Sequence, residues 1–214
     1  MILHKETVSD TLWESLDKLM NLSKLKDLRI VGGTSLSLQL GHRISVDIDL
    51  FTDVEYGSVD FKSIEDDLSE VFPYFEAPLI GKVALGKTYF MGDDEENALK
   101  LDLFYTDEFA FPLKKFGNIR FSSIKEVAAM KLEIIANNGR KKDFWDIHEL
   151  LKIYSINQLI EFYSIRNPYG FGRENLLHQL VDFSKADQDL EPNCLKGKIW
   201  EFIKIDIEEA VQGA

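Results

Sequence analysis

The chain has 214 residues, 45% of them apolar and 29% charged, with 13 glycines and 5 prolines, a balance that excludes disordered, collagen-like and fibrous proteins. Its formal charge of −12, from 25 basic and 37 acidic residues, opposes broad, sequence-independent DNA binding, because such affinity comes from Lys and Arg displacing counterions from many phosphates. One cysteine, Cys194, cannot form an internal disulfide or a thiolate zinc site, and no apolar run approaches the ~18 residues of a membrane span, so the expected setting is the cytoplasm, neither exported nor membrane-embedded.

In chain order, residues 11–25 carry helical periodicity, 28–31 form a short apolar strand, and Gly32-Gly33 interrupts the chain before residues 44–51, which alternate as a second strand. Residues 61–75 read as a helix stopped by Pro73. Residues 83–91 and 98–105 read as a strand pair around the acidic run Asp93-Asp94-Glu95-Glu96, which wants water. The basic runs Lys114-Lys115 and Arg140-Lys141-Lys142 read first as solvated surface. The pattern changes near Ser122. Ser123 precedes a helix over 124–136 that Asn137-Asn138-Gly139 stops, a second helix covers 141–154, and two or three more follow to Gln212. The fold class is therefore α+β, a mixed sheet flanked by helices and then a helical region, with the division expected at 1–121 and 122–214.

The segment from Val31 to Phe51 carries the chemistry. Two glycines after a strand let a backbone approach a phosphate, and Thr34 can cap the helix that follows, although a tight strand-to-helix turn needs glycine without any ligand. Asp47 and Asp49, two apart on a strand, share a face while Val46, Ile48 and Leu50 point the other way. Two like charges on one face suit either open water or a hard cation such as Mg²⁺ or Mn²⁺. An EF-hand starting at Asp47 fails, since position six is Thr52 and position twelve Ser58. Asp102 adds a third carboxylate on the alternating strand Leu99 to Phe104, where Lys100 shares its face. Three converging carboxylates could hold divalent ions for phosphoryl transfer. His42 stands beside Arg43 within reach of a phosphate, His148 and His178 are isolated, and Cys194 has no evident activating partner.

Taken together, Gly32-Gly33-Thr34, Asp47-x-Asp49, Lys100-x-Asp102, Lys131 and Arg140-Lys141-Lys142-Asp143-Phe144-Trp145-Asp146 resemble the AbiEii/AbiGii toxin family of nucleotidyltransferases, within the polymerase-β-like superfamily. The MenT toxins are similar. The resemblance covers about residues 28–152 and implies a nucleotidyltransferase-like mixed sheet with a helical region completing the active-site cleft. It also implies transfer of a nucleoside monophosphate from an NTP to a hydroxyl acceptor, RNA among the candidates, with Mg²⁺ or Mn²⁺ and a cognate antitoxin. It assigns Asp47, Asp49 and Asp102 to metal and catalysis, and Lys131 to catalysis. It places Gly32, Gly33, Thr34, Arg43, Lys100, Lys142, Asp143 and Asp146 at the nucleotide. Lys142 stands where the family has a frequent Arg, keeping charge but losing the bidentate fork. Two other readings share the fold: a binding module without chemistry, and an antibiotic-modifying type of nucleotidyltransferase acting on a small molecule.

Overall fold

The computed structural model describes residues 2–77 and 85–214. The chain divides into two compact units, residues 8–35 with 45–122 and residues 2–7 and 36–44 with 123–214. Two short segments thus leave the α+β part to join the helical one, which no change of composition marks.

The first unit is built on a seven-stranded sheet of order β3-β4-β5-β2-β1-β7-β6. The strands are β1 (Arg29–Ile30), β2 (Ile48–Thr52), β3 (Tyr74–Glu76), β4 (Gly86–Gly92), β5 (Leu99–Tyr105), β6 (Lys114–Phe116) and β7 (Ile119–Phe121). β2 runs parallel to β5 and β1 parallel to β7, and the remaining neighbours are antiparallel. Alternation decides what each face carries. Ile48 and Leu50 register with Leu101 and Leu103, all fully buried, on the face that α3 (Phe61–Val71) covers. Asp49 and Phe51 register with Asp102 and Phe104 on the opposite face, where the two phenyl rings lie 6.0 Å apart.

Helix α1 (Asp10–Asn21) starts where the Ser9 hydroxyl accepts from the Leu12 amide, and buries Leu12, Leu16 and Leu19 at helical spacing, each worth about 1.5–3 kcal/mol. The helix expected over 61–75 ends at Val71. Pro73 forces Phe72 into extended backbone, and residues 74–76 become β3 instead. The strand expected over 83–91 appears as Gly86–Gly92, and Val83 and Ala84 lie outside the described residues. The β6–β7 hairpin, turned at Gly117 with φ 58°, was not anticipated, because exposed Lys114 and Lys115 read only as solvated surface. Arg120 on β7 donates to the carbonyls of Met20, Leu25 and Leu28, satisfying the end of α1 and the chain that follows it.

In the second unit, α4 (Ile124–Ala136) packs against α5 (Lys141–Leu150), α6 (Ile156–Arg166) and α7 (Arg173–Leu180), while α5 also meets α8 (Trp200–Gln212). Ser123 caps α4, and Ser155 with Gln158 forms a capping box on α6. α5 stops at Leu150, earlier than its periodicity suggested. Its aromatic core includes Trp145 stacked on Trp200 at 5.8 Å, with Phe144 edge-on to Phe183 at 5.0 Å.

Candidate active site

Asp49 on β2 and Asp102 on β5 are register partners on adjacent parallel strands, so both carboxylates stand on one face of the sheet. Thr88 on β4 is directly opposite Asp102 and its hydroxyl donates to Oδ1 at 2.6 Å. Lys100, two residues earlier on the same face, donates its ammonium to Oδ2 at 2.5 Å. Both oxygens of Asp102 are therefore held by protein donors. Burial works against the Lys100 charge, yet Asp102, Asp47 and Asp49 outweigh it and raise the pKa above the ordinary lysine value.

The expectation that Asp47 belongs to the strand is corrected. β2 begins at Ile48, Asp47 is the residue before it, and Val46, expected on the same face as Ile48 and Leu50, is 63% exposed while those two are fully buried. Among the described residues no group of three or more His, Cys, Asp and Glu side chains is arranged to hold a metal ion. Asp49 and Asp102 form an adjoining pair instead, and Asp47 acts on the Lys100 ammonium through space. The donor set nonetheless fits a divalent ion. Its atoms are hard oxygens, and a cationic group already stands among them.

The glycine turn serves this carboxylate pair. α2 (Gly32–Leu40) begins at Gly32 itself, so Thr34 is its third residue and not its cap. The fully buried Thr34 hydroxyl donates to the Asp47 carbonyl at 2.5 Å and shares a hydrogen bond with the Ser45 hydroxyl at 2.8 Å, pinning the loop that leads into β2. Gly32 has φ 66°, and a Cβ there would run into the Asp49 carboxylate. Glycine at this position lets the helix entry close on Asp49. Gly33 follows as the second residue of α2.

Arg43, Lys131, Asp143 and Asp146 belong to the second unit and form one buried ion network there. Arg43 forks onto Asp146, Nε to Oδ1 at 2.7 Å and a terminal nitrogen to Oδ2 at 2.9 Å. Lys131 reaches Asp146 Oδ2 at 2.7 Å and donates to Asp143 Oδ1 at 2.6 Å. Asp143 Oδ2 accepts the Arg140 amide at the start of α5. Two cations meet two carboxylates, so charge balances inside the network. Burial pushes the Asp146 carboxyl up, but Arg43 and Lys131 overwhelm it and hold the pKa well below the ordinary carboxylate range. Lys131 is only 3% exposed. Lys131, Arg43, Asp143 and Asp146, expected at a nucleotide, are each turned onto another member of this network. Lys142 is half-buried on α5.

His42, read as a phosphate contact, is fully buried and lies 2.7 Å from Asp146 through Nε2, with Nδ1 lacking a partner among the described residues. Burial depresses its pKa against the pull of Asp146 and so favours the neutral ring. His148 is 2.7 Å from Asp206. Cys194 is less isolated than its sequence context suggested, since its sulfur accepts the Lys196 and Lys198 amides at 3.4 Å. Sequence reasoning missed Thr88 altogether. Only the register of β4 on β5 singles it out, and no spacing in the sequence encodes that register.

Comparison with known proteins gives the family and the fold. The family described as nucleotidyl transferase AbiEii toxin, type IV toxin–antitoxin system, matches residues 15–192. An uncharacterized protein of Aquifex aeolicus (strain VF5) is 30% identical over 93% of this chain and 95% of its own length. Among solved structures, JHP933 from Helicobacter pylori has a TM-score of 0.59 at 17% identity, covering 96% of this chain and 92% of its own. MenT4, a nucleotidyltransferase toxin from Mycobacterium tuberculosis H37Rv, has a TM-score of 0.59 at 12% identity, covering 96% and 85%. These two establish likeness of fold, and the family match covers most of the sequence. The chain belongs to the AbiEii toxin family of nucleotidyltransferases.

Proposed function

We propose that this protein is a divalent-metal-dependent nucleotidyltransferase that moves a nucleoside monophosphate from an NTP to a hydroxyl acceptor, with RNA as the acceptor class, and that it acts in the cytoplasm as a toxin controlled by a cognate antitoxin. The observation that carries this reading is the in-register pair Asp49 and Asp102, backed by Gly32 and adjoined by Asp47 and Lys100. In the reaction the acceptor oxygen bonds to the α-phosphorus, the bond from that phosphorus to the α–β bridging oxygen breaks, pyrophosphate leaves, and the acceptor proton passes to a nearby base or solvent. A bound Mg²⁺ or Mn²⁺ supplies positive charge to the phosphate oxygens and the leaving group. Asp49 and Asp102 would hold it, with Asp47 adding negative charge beside them. Gly32, Gly33 and Thr34 fix the helix entry and the Asp47 loop against these carboxylates, and Lys100 supplies a cation on their face. Lys131, Arg43, Asp143 and Asp146 act, in this reading, as the ion network that sets the start of α5, with Lys142 beside it.

The test is transfer of label. Each of the four α-labelled NTPs is incubated with purified protein, Mg²⁺ and total RNA, beside a panel of hydroxyl-bearing small molecules. Label in RNA, lost in Asp49→Asn, supports the reading. Label only in a small molecule would make this the antibiotic-modifying type, and NTP binding without transfer to any acceptor would make it a binding module.

A further inference from the structure

Both oxygens of Asp102 are taken, one by a hydroxyl from the neighbouring strand and the other by an ammonium two residues away. The ammonium matters more, because it is a cation placed where Asp47, Asp49 and Asp102 all act on it. Alternation on β5 puts Lys100 and Asp102 on the same face. The Lys100 side chain is 40% exposed, against 15% for Asp102, so its stem has room to swing away.

We infer that Lys100 is a built-in counter-ion of the carboxylate set, holding Asp102 in the metal-free protein and giving way when a divalent ion binds, so that Lys100 sets how tightly the site takes metal. The inference rests on the metal-dependent reading above. Three carboxylates and one ammonium leave the set at −2. Removing the ammonium leaves −3 and one Asp102 oxygen without its donor, and both changes favour a divalent ion. Thr88 keeps its hold on Oδ1 throughout, so Asp102 stays aimed while its second oxygen changes partner. Once displaced, the Lys100 ammonium is available to the anionic oxygens of an incoming triphosphate.

The experiment is Mn²⁺ binding to nucleotide-free protein, followed by electron paramagnetic resonance and calorimetry, for wild type, Lys100→Met, Lys100→Gln and Lys100→Arg. Thermal melts confirm that each variant is folded, and the neutral Gln variant stands in should Met fail to fold. The expected result is at least tenfold tighter Mn²⁺ binding in the Met and Gln variants, with Lys100→Arg restored toward wild type. Structural damage would weaken binding, so a gain cannot come from it. Equal or weaker binding in both neutral variants, with wild type still binding Mn²⁺, overturns the counter-ion role and leaves the metal-dependent reading standing. No Mn²⁺ binding by any of the four proteins overturns both.

Discussion

Gly32 and Lys131 both belong to the motifs that carry the family resemblance, and the role of each can be settled by a single substitution. A methyl group at Gly32 meets the Asp49 carboxylate in a backbone with φ 66°, so Gly32→Ala is expected to cost about 1–3 kcal/mol of stability and to weaken metal binding by displacing Asp49. Chemical denaturation and Mn²⁺ titration read the two effects. Unchanged metal affinity in the folded variant would show that Gly32 does not position Asp49. Lys131→Met leaves two buried carboxylates facing one remaining cation, Arg43. The expected loss is about 3–5 kcal/mol. Thermal unfolding checks it, at roughly 2–4 °C per kcal/mol for a chain of this size. A melting temperature equal to wild type with NTP affinity lost would instead assign Lys131 to the nucleotide.

At the scale of elements, α5 and the segment before α8 form a charge cluster whose pH response follows from its partners. Burial pushes the Glu149 carboxyl upward, but Lys196 at 2.6 Å, Lys198 at 2.6 Å and Lys152 at 3.1 Å bring it down to about 2. Its folded pKa lies below the unfolded value, so the unfolded chain binds the proton more readily. The stabilisation is complete above about pH 4.5 and disappears as the pH falls toward 2. Glu149→Gln should therefore lose about 2 kcal/mol at neutral pH, and the gap from wild type should close in acid. Melting curves from pH 2 to 7 measure this, and a gap that does not narrow would mean that packing, not charge, is what Glu149 supplies.

The same elements show what periodicity could reveal. α4 was legible because Ser123 caps a run with strong helical spacing, and β5 because Leu99, Leu101 and Leu103 alternate with polar residues. Asp49 and Asp102 were legible as chemistry for that reason. β3 and the β6–β7 hairpin were not: β3 and β6 are three-residue strands with exposed or half-buried positions, and β7 alternates buried Ile119 and Phe121 about Arg120 over only three residues, too short a run to read as a pattern. The Arg43–Asp146 pair of the ion network escaped as well, since its members are 103 residues apart and only tertiary packing joins them. Recognition of the family located these residues; the side-chain geometry shows what each one touches.

For the whole molecule, the formal charge of −12 sets how RNA can be engaged. Acceptor RNA is expected to bind weakly when nucleotide and metal are absent, with a dissociation constant above about 10⁻⁴ M at physiological salt and a shallow salt dependence. Fluorescence anisotropy over a salt series tests it, and tight, steeply salt-dependent binding would point to a concentrated basic surface. The central claim, that the Asp49 and Asp102 pair carries nucleotidyl transfer, is tested most directly by pyrophosphate release. Wild type, Asp49→Asn and Asp102→Asn are assayed with NTP, Mg²⁺ and acceptor RNA, with melting curves recorded alongside. The account predicts release from wild type, a loss of at least about 100-fold in both variants, and melting temperatures within about 4 °C of one another. Release by folded Asp49→Asn and Asp102→Asn at the wild-type rate would contradict it.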